Sequence, residues 1–332
     1  METLVSFVIP AYNCEKSIIR TLDCIKEQTI SDYEILVIND GSTDNTLKTV
    51  NDYSLCHQEI KMIVLSQNNA GPGMARDKGI QNANGEYILF VDSDDEIPDN
   101  YAQKLVDGIH DSDFCYGGYE IIDHSTKKKV LPNKTGNRSA ESVLLDFVTF
   151  NEHISLWNSI FIRKIIIENN IHFSSRYMSE DVMFISLYLC YCKKAYVLND
   201  VIYTFYYDGS RAFEREIKQS RKNNVEKNIW TNIIPIIQRN KWEIIEQNLL
   251  HSRIPVDTTY MILYTAFISQ NYSQFILWWK HHKKTIKQQY KTIKRGKLPF
   301  HIYIKTKTLS LTSNFSPVFL YLASKKLLKR VY

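Results

Sequence analysis

The first hundred residues alternate short apolar runs with segments in which apolar residues recur every three or four positions. The runs predict buried strands, and the helical spacing predicts helices that bury one face. The predicted strands are 5–9, 34–38, 60–65 and 87–91, and the predicted helices are 14–28, 42–53, 71–83 and one beginning near residue 98. This alternation predicts a mainly parallel central sheet of the α/β class with right-handed crossovers.

The middle third has a less regular pattern. Two strands are predicted within 113–131, with the lysines at 127–129 in a turn, and a further strand is predicted at 197–207. Helices are predicted at about 139–150, 154–169 and 179–192. Beyond residue 215 the spacing is helical. We therefore divide the chain into an α/β domain over 1–212 and a helical C-terminal region over 213–332.

The segment Asp92-Ser93-Asp94-Asp95 directly follows the predicted strand 87–91. Carboxylates crowded this closely repel one another, and burying them is costly unless a cation is nearby. Their oxygens suit a hard divalent cation such as Mg²⁺ or Mn²⁺. Ligands of open α/β sheets bind beyond the carboxyl ends of strands. The segment therefore predicts a metal that in turn holds an anion, most simply a diphosphate.

Three further polar loops follow predicted strands and should meet the acidic segment at the same edge of the sheet. They are 10–13, 39–42 and 67–69. Asp40 suits a hydrogen bond from a nucleobase or ribose, although an Asp before Gly41 is also an ordinary turn residue. Arg76 lies in the first turns of a helix whose N-terminus favours anions, and the alternative is a solvated helix face. Neither a GxGxxG nor a Walker loop is present.

Glu180 and Asp181 begin the predicted helix 179–192. Acidic residues in a first turn also stabilise a helix by interacting with its dipole, so this pair has a structural explanation. A general base for a sugar hydroxyl would be a carboxylate of this kind. Both interpretations remain open for this segment taken alone.

Taken together and in this order, the motifs resemble the family 2 glycosyltransferases, which are inverting enzymes of the GT-A fold. The resemblance covers about residues 3–210, and the matching motifs are Val8–Asn13 with Glu15, Asn39–Asp44, Asn68–Gly79, Gly85–Ile88, Asp92–Asp95, Trp157–Asn158 and Ser179–Phe184. It implies a GT-A catalytic domain over 1–212. Within that domain, about 1–110 would form the nucleotide-sugar half and about 111–212 the acceptor half.

The resemblance also implies what each candidate residue does. Pro10, Tyr12, Glu15 and Asp40 would hold the uridine of a UDP-sugar, with Arg76 near the base and diphosphate. Asp94 would bind Mn²⁺ or Mg²⁺, Asp92 would contact the metal or ribose, and Ser93 would contact the nucleotide. Asp181 matches the catalytic base, and Trp157, Asn158 and Glu180 would line the acceptor side. The metal would stabilise the leaving diphosphate while Asp181 takes the proton of the attacking hydroxyl.

Charge is distributed unevenly along the 332 residues, whose formal net charge is +5. Residues 258–332 hold 14 of the 41 Lys and Arg residues and no Asp or Glu. Within this region, 280–297 and 318–330 mix basic and apolar residues in a way typical of helices at an anionic membrane surface. The alternative is a solvated face that covers its own core. No nucleic-acid recognition module is visible, so nucleic acid is not an expected partner.

The remaining features concern the part of the cell in which the protein is expected to act. The six cysteines lack metal-ligand spacing, so we expect no structural zinc. No signal-peptide pattern and no apolar run of about 20 residues is found. We expect a cytoplasmic enzyme, peripheral at the inner face of the membrane, that extends a lipid-linked saccharide of a bacterial surface polysaccharide. Two other hypotheses stay open: a non-catalytic nucleotide-binding scaffold of a polysaccharide assembly complex, and a sugar nucleotidyltransferase.

Overall fold

A computed structural model describes residues 3–123, 126–173, 180–206 and 230–250, with single positions at 273, 276, 279 and 280. The described residues form two compact units. The first comprises those between 3 and 144 and between 152 and 206, and the second comprises 145–151 and those from 230 onward. The predicted boundary at residue 212 and most of the basic C-terminal region lie outside the described residues.

The first unit is built on a sheet that has nine strands within the described residues. The strands are β1 Val5–Ala11, β2 Tyr33–Asn39, β3 Met62–Ser66, β4 Tyr87–Phe90, β5 Phe114–Asp123, β6 Thr126–Val130, β7 Gly136–Ser139, β8 Ser159–Ile162 and β9 Lys194–Tyr206. Their order across the sheet is β3-β2-β1-β4-β8-β5-β9-β7, and β6 pairs with β5.

Helices connect most of these strands. They are α1 Ile18–Lys26, α2 Thr46–Cys56, α3 Pro72–Asn82, α4 Tyr101–Ile109, α5 Ala140–Val148, α6 Arg163–Glu168 and α7 Glu180–Leu189. In the second unit, α8 spans Trp230–Arg239 and α9 spans Glu243–Asn248. Within the part of the chain described here, no helix has the length and apolar character needed to cross a membrane.

The first four strands are parallel and follow the predicted order along the chain. β1 is central in this group and almost entirely buried, and α3 packs against it. The predicted apolar face of α1 is buried through Ile18, Leu22 and Ile25. On α3, a Cβ added to Gly79 would lie 2.4 Å from Val8 Cγ1, so glycine allows this helix to lie directly on β1. The carboxyl ends of the four strands consequently share one edge.

The second half of the sheet adds antiparallel strands. β8 is antiparallel to β4 and β5, whereas β9 is parallel to β5 and antiparallel to β7. β1 to β5 and β9 therefore run in one direction, and the predicted α/β class with a mainly parallel sheet is confirmed.

Two predictions in this half are wrong. Residues 154–169 do not form one helix, because β8 and α6 occupy that stretch. Apolar runs as short as residues 160–162 cannot be assigned to helix or strand by periodicity. Lys127 to Lys129 lie in strand β6 rather than in a turn, and their side chains are exposed at the edge of the sheet. Lysines are common on such edges because they oppose further strand pairing.

Candidate active site

The loops after β1 and β2 hold each other through reciprocal hydrogen bonds. The backbone N–H of Thr43 donates to Asn13 Oδ1 at 2.8 Å, and the Asn13 N–H donates to Ser42 Oγ at 3.1 Å. Asn13 has φ 50°, a left-handed conformation that asparagine tolerates. Glu15 also joins the two loops, since its Oε2 accepts the N–H of Asn45 at 2.9 Å. Glu15 therefore fixes the loop geometry in this structure.

The predicted uridine contacts flank these paired loops. Pro10 is partly buried near the end of β1, and Tyr12 is 37% exposed just beyond that strand. A half-exposed aromatic ring offers an apolar face on which a flat ligand can stack. Ser93, from the acidic segment, is hydrogen-bonded to the buried thiol of Cys14. The loop after β1 thus reaches the acidic segment directly.

Asp40 is almost completely buried and fixes the loop that leads into α3. Its Oδ1 accepts hydrogen bonds from Gln67 Nε2 at 2.8 Å and from the Ala70 N–H at 2.9 Å. Its Oδ2 accepts the N–H of Gly71 at 2.8 Å. Gly71 has φ 98°, which only glycine adopts readily, and it immediately precedes α3. A carboxylate oxygen has two acceptor sites, so Oδ2 has the capacity for one further donor.

The acidic segment divides into outward and inward carboxylates. Asp94 is exposed and Asp92 is partly buried, whereas Asp95 is fully buried. Asp95 accepts a hydrogen bond from the Tyr203 hydroxyl at 2.9 Å and another from the Tyr206 N–H at 3.0 Å. Burial, together with the charges of Asp92 and Asp94, raises the pKa of Asp95 well above its usual range. Asp95 is therefore a structural group, and the outward carboxylates are those predicted for the metal.

Arg76 connects the acidic segment to the start of α7. Its Nη2 donates to Asp92 Oδ1 at 2.7 Å, and its Nη1 lies 3.8 Å from Glu180 Oε1. Burial would lower the pKa of this guanidinium, but the charges of Asp92 and Glu180 outweigh that effect and raise it. Arg76 consequently stays charged. The sequence analysis predicted an anion beside Arg76, and in this structure the neighbouring anions are the carboxylates of Asp92 and Glu180.

Aromatic packing and one glycine set the position of α7. The rings of Phe173 and Phe184 stack at 4.2 Å, with interplanar angle 5°. A Cβ added to Gly73 in α3 would lie 3.1 Å from Glu180 Cγ, so the two helices approach closely at this point. Asp181 is in the first turn of α7 and partly exposed, and its charge acts on the Arg76 guanidinium. The fold thus brings the predicted base to the group that binds Asp92.

Trp157 and Asn158 differ in their surroundings. Trp157 stacks on Tyr203 with ring centroids 4.5 Å apart. Asn158 is fully buried, where its Nδ2 donates to the Gly117 carbonyl at 2.7 Å and its Oδ1 accepts the Ser155 N–H at 2.7 Å. Both ends of the Asn158 amide are hydrogen-bonded to the protein backbone. Asn158 therefore fixes the loop that carries Trp157 and does not face the predicted site of the acceptor saccharide.

The sequence analysis missed several side chains that contact the acidic segment, among them Tyr203 and Arg20. The Tyr203 oxygen accepts the N–H of Asp92 at 3.1 Å. Arg20 Nη2 donates to the Asp94 carbonyl at 2.6 Å, and its guanidinium lies 4.4 Å from the centre of the Tyr206 ring. Tyr203 is on β9 and Arg20 on α1, at positions with no local motif. The alternation of β9 could have indicated a buried tyrosine, whose hydroxyl requires a partner.

The sequence and the fold were compared with those of known proteins. Residues 6–169 match the family model of Glycosyl transferase family 2. The chain carries a family 2 glycosyltransferase domain. This domain region is similar to an uncharacterized glycosyltransferase, YibD, of Escherichia coli K12, with 27% identity over 229 residues that cover 66% of this chain and 65% of YibD.

A second relative of the family 2 domain is a poly(ribitol-phosphate) beta-glucosyltransferase of Bacillus spizizenii. It is 45% identical over 95 residues, which cover 28% of this chain and 15% of the relative. The chain thus spans less than two thirds of the length of either relative. Among solved structures, S. aureus TarS 1–349 in complex with UDP-GlcNAc has a TM-score of 0.68 at 18% identity, covering 98% of this chain and 92% of that one. This likeness confirms the predicted GT-A fold.

Proposed function

We propose that this family 2 domain transfers a sugar from a UDP-sugar to a saccharide acceptor and inverts the anomeric carbon. The observation that carries the proposal is the buried guanidinium of Arg76, which contacts Asp92 and lies near Glu180 at the start of α7. This arrangement joins a carboxylate suited to a metal and diphosphate with the helix that presents Asp181. Leaving-group stabilisation and proton abstraction are the two functions that inverting transfer needs.

The donor site is proposed at the shared edge of β1, β2 and β4. Tyr12 offers a ring for the uracil, and the spare acceptor capacity of Asp40 Oδ2 suits a uracil or ribose donor. The TarS complex with UDP-GlcNAc supports a UDP-sugar as the class of donor.

A divalent cation fits the residues at this edge. Within the described residues, no three or more His, Cys, Asp or Glu side chains are grouped to hold a metal. Asp92 and Asp94 supply two hard oxygen ligands, and Mg²⁺ characteristically takes one or two carboxylates and completes its shell with substrate phosphates and water. Bound there, Mn²⁺ or Mg²⁺ would offset the charge that develops on the departing diphosphate.

Asp181 is proposed as the base that removes the proton of the acceptor hydroxyl. Its position in the first turn of α7 is near the Arg76 guanidinium and therefore near Asp92. A single base is sufficient because inversion by direct attack needs no covalent intermediate. Trp157, partly exposed on the Tyr203 ring, is proposed to border the acceptor. Glu180 and Asn158 would act there indirectly, through Arg76 and the Trp157 loop.

The acceptor is proposed to be a lipid-linked saccharide of a bacterial surface polysaccharide. The name of the Bacillus spizizenii relative, a poly(ribitol-phosphate) beta-glucosyltransferase, supports a polymeric acceptor. The basic region 258–332 would hold the enzyme against the inner face of an anionic membrane. The segments 281–297 and 318–330 that would make this contact lie outside the described residues.

The test is UDP release from UDP-glucose, UDP-galactose and UDP-GlcNAc, measured with Mn²⁺ and with EDTA. We expect turnover of at least one donor by the wild type, and loss of that turnover in EDTA and in Asp94→Ala. The matched control is Asp52→Ala, which removes an exposed carboxylate of α2 that pairs with Lys48. Undiminished turnover by Asp94→Ala would overturn the metal assignment.

Measurements of UDP binding and of pyrophosphate formation, made beside this assay, separate the rival hypotheses. A scaffold would bind UDP but turn over no donor, even with a saccharide acceptor mixture present. A sugar nucleotidyltransferase would instead form pyrophosphate from a nucleoside triphosphate and a sugar phosphate.

A further inference from the structure

We propose that Tyr203 is a positioning residue for the Asp92–Asp95 segment, and that β9 of the acceptor half thereby sets the geometry of the metal and diphosphate ligands. The inference rests on the proposed function, because it concerns the carboxylates assigned there to the metal. Tyr203 is fully buried, so its hydroxyl acts through Asp92 rather than by touching the substrate.

The Tyr203 hydroxyl is hydrogen-bonded to both ends of the segment. It accepts the backbone N–H of Asp92 at 3.1 Å and donates to Asp95 Oδ2 at 2.9 Å. The second oxygen of Asp95 accepts the N–H of Tyr206, also on β9, at 3.0 Å. One oxygen atom therefore joins the first and last residues of the segment, and the outward side chains of Asp92 and Asp94 extend from a backbone that β9 holds.

The tyrosine ring is itself held on two sides. Trp157 stacks on it with ring centroids 4.5 Å apart, and Tyr101 contacts it edge-on at 6.1 Å. The segment is also held from α1, where Thr21 Oγ1 donates to the Asp95 carbonyl at 2.9 Å. Because the ring is packed, with Asp95 fully buried and Asp92 partly buried, removal of the hydroxyl leaves the Asp92 N–H without its acceptor. The side chains of Asp92 and Asp94 then extend from a backbone that is less firmly held.

Groups that orient metal ligands without touching the metal typically change metal affinity by about 10–100-fold when they are removed. We therefore expect Tyr203→Phe, which keeps the ring and its stacking, to weaken UDP binding in the presence of Mn²⁺ by roughly tenfold or more. UDP binding in EDTA should stay at the wild-type level, because the uridine contacts are on other loops.

The experiment is calorimetric titration of the full chain with UDP, in Mn²⁺ and in EDTA, together with direct Mn²⁺ binding measured by electron paramagnetic resonance. Neither readout requires turnover. Equal UDP affinity of Tyr203→Phe and the wild type in Mn²⁺ would overturn the proposal.

The chain provides a closely matched control in Tyr188. This tyrosine is also fully buried, and its hydroxyl likewise accepts a backbone N–H, that of Ile162 at 2.7 Å, and donates to an oxygen, the Asp113 carbonyl at 2.8 Å. Tyr188→Phe should lower the melting temperature about as much as Tyr203→Phe but leave the Mn²⁺ dependence of UDP binding unchanged. Identical losses of Mn²⁺-dependent binding in both variants would show a general packing effect and overturn the proposal.

A second variant covers the case in which Tyr203→Phe does not fold. Asp95→Asn replaces one of the two carboxylate oxygens by an NH₂ group and leaves Tyr203 in place. We therefore expect a smaller loss of UDP affinity in Mn²⁺ than in Tyr203→Phe. Wild-type Mn²⁺ dependence of UDP binding in both of these variants would count against the proposal. If the wild type itself binds UDP equally with and without Mn²⁺, the proposed metal site fails and this inference fails with it. If the wild type binds UDP more tightly in Mn²⁺ than in EDTA, and both variants do so to the same extent, this inference alone is overturned.

Discussion

The proposed nucleotide half and the proposed acceptor half of the sheet-containing unit organise their polar residues in different ways. Around β1, β2 and β3, each strand-end loop is tied to the next by side chain to backbone hydrogen bonds, such as those of Asn13 with the loop after β2 and Asp40 with the loop before α3. Around β5, β8 and β9, Trp157 and its aromatic neighbours pack side chain against side chain. The first region relies on side chain to backbone hydrogen bonds, whereas the second adds ring packing to hydrogen bonds such as those of Asn158.

The two arrangements meet at the acidic segment. Arg76 reaches it from α3, in the proposed nucleotide half, and Tyr203 reaches it from β9, in the proposed acceptor half. From this difference we expect substitutions in the two halves to affect different properties. Changes in the nucleotide half should alter UDP binding, changes in the acceptor half should alter transfer or stability, and the residues at the junction should alter both.

The largest effect is expected at the proposed base. Asp181→Asn keeps the shape of the side chain but cannot take a proton, so the transfer rate should fall by at least about 100-fold with little change in UDP affinity. Initial rates at saturating donor and calorimetric UDP titration measure the two quantities. The neighbouring Glu180→Gln is the comparison and should cost less than about tenfold. A larger loss in Glu180→Gln than in Asp181→Asn would move the base to Glu180.

Asp40→Ala should produce the next largest change and should affect the nucleotide half specifically. It removes the acceptor of three hydrogen bonds from the loop 67–71. We expect a loss of about 3 kcal/mol in the free energy of unfolding and a clear loss of UDP affinity. Urea denaturation and UDP titration are the measurements. Unchanged UDP affinity would contradict the placement of the uridine beside Asp40.

Asn158→Ala is the corresponding change in the acceptor half. The fully buried amide loses its bonds to Gly117 and Ser155, so the free energy of unfolding should fall by about 2 kcal/mol. UDP affinity should stay at the wild-type level, because this loop carries Trp157 and no nucleotide contact. An equal loss of UDP affinity in Asn158→Ala and Asp40→Ala would abolish the distinction between the halves.

The smallest expected effect is a pH dependence of the unfolding free energy, which arises where Asp77 of α3 contacts Phe173. Asp77 is buried, its Oδ1 accepts the Phe173 N–H at 3.0 Å, and His172 Nδ1 lies 3.7 Å away. Burial raises the pKa of Asp77 from 3.8 to about 6, although Phe173 and His172 act in the opposite direction. The folded state then holds this proton more tightly than the unfolded state. The contribution of Asp77 to stability must fall as the pH rises from about 4 to about 6 and stay level above that.

The measurement compares the wild type with Asp77→Asn, which cannot ionise. Relative to that variant, the wild type should lose ~1 kcal/mol of unfolding free energy between pH 5 and pH 7. Asp52→Asn, at an exposed site, controls for the loss of a carboxylate as such. A difference between wild type and Asp77→Asn that is constant over this range would show that Asp77 does not titrate in it.

Much of the proposed nucleotide half could be predicted because its signals are local. An apolar run marks a strand, and polar residues at its end mark the site edge, so Asp40, Asp92 and Asp94 were found where their strands end. The acceptor half was predicted less well. The run at 160–162 was assigned to a helix, since a short apolar run does not distinguish helix from strand, and its partners in β4 and β5 are distant in sequence.

The sequence by itself determined the first four strands with the helices between them, the motifs of family 2 and the set of acidic residues available for chemistry. These follow from periodicity and from the positions of residues relative to their own strand or helix. Only the tertiary structure decided that Asp95 faces inward, that Asp92 pairs with Arg76 and that Tyr203 holds the segment. Asp92 and Tyr203 are 111 residues apart. Burial and hydrogen-bond satisfaction at such separations depend on how the whole sheet packs, which no local pattern encodes.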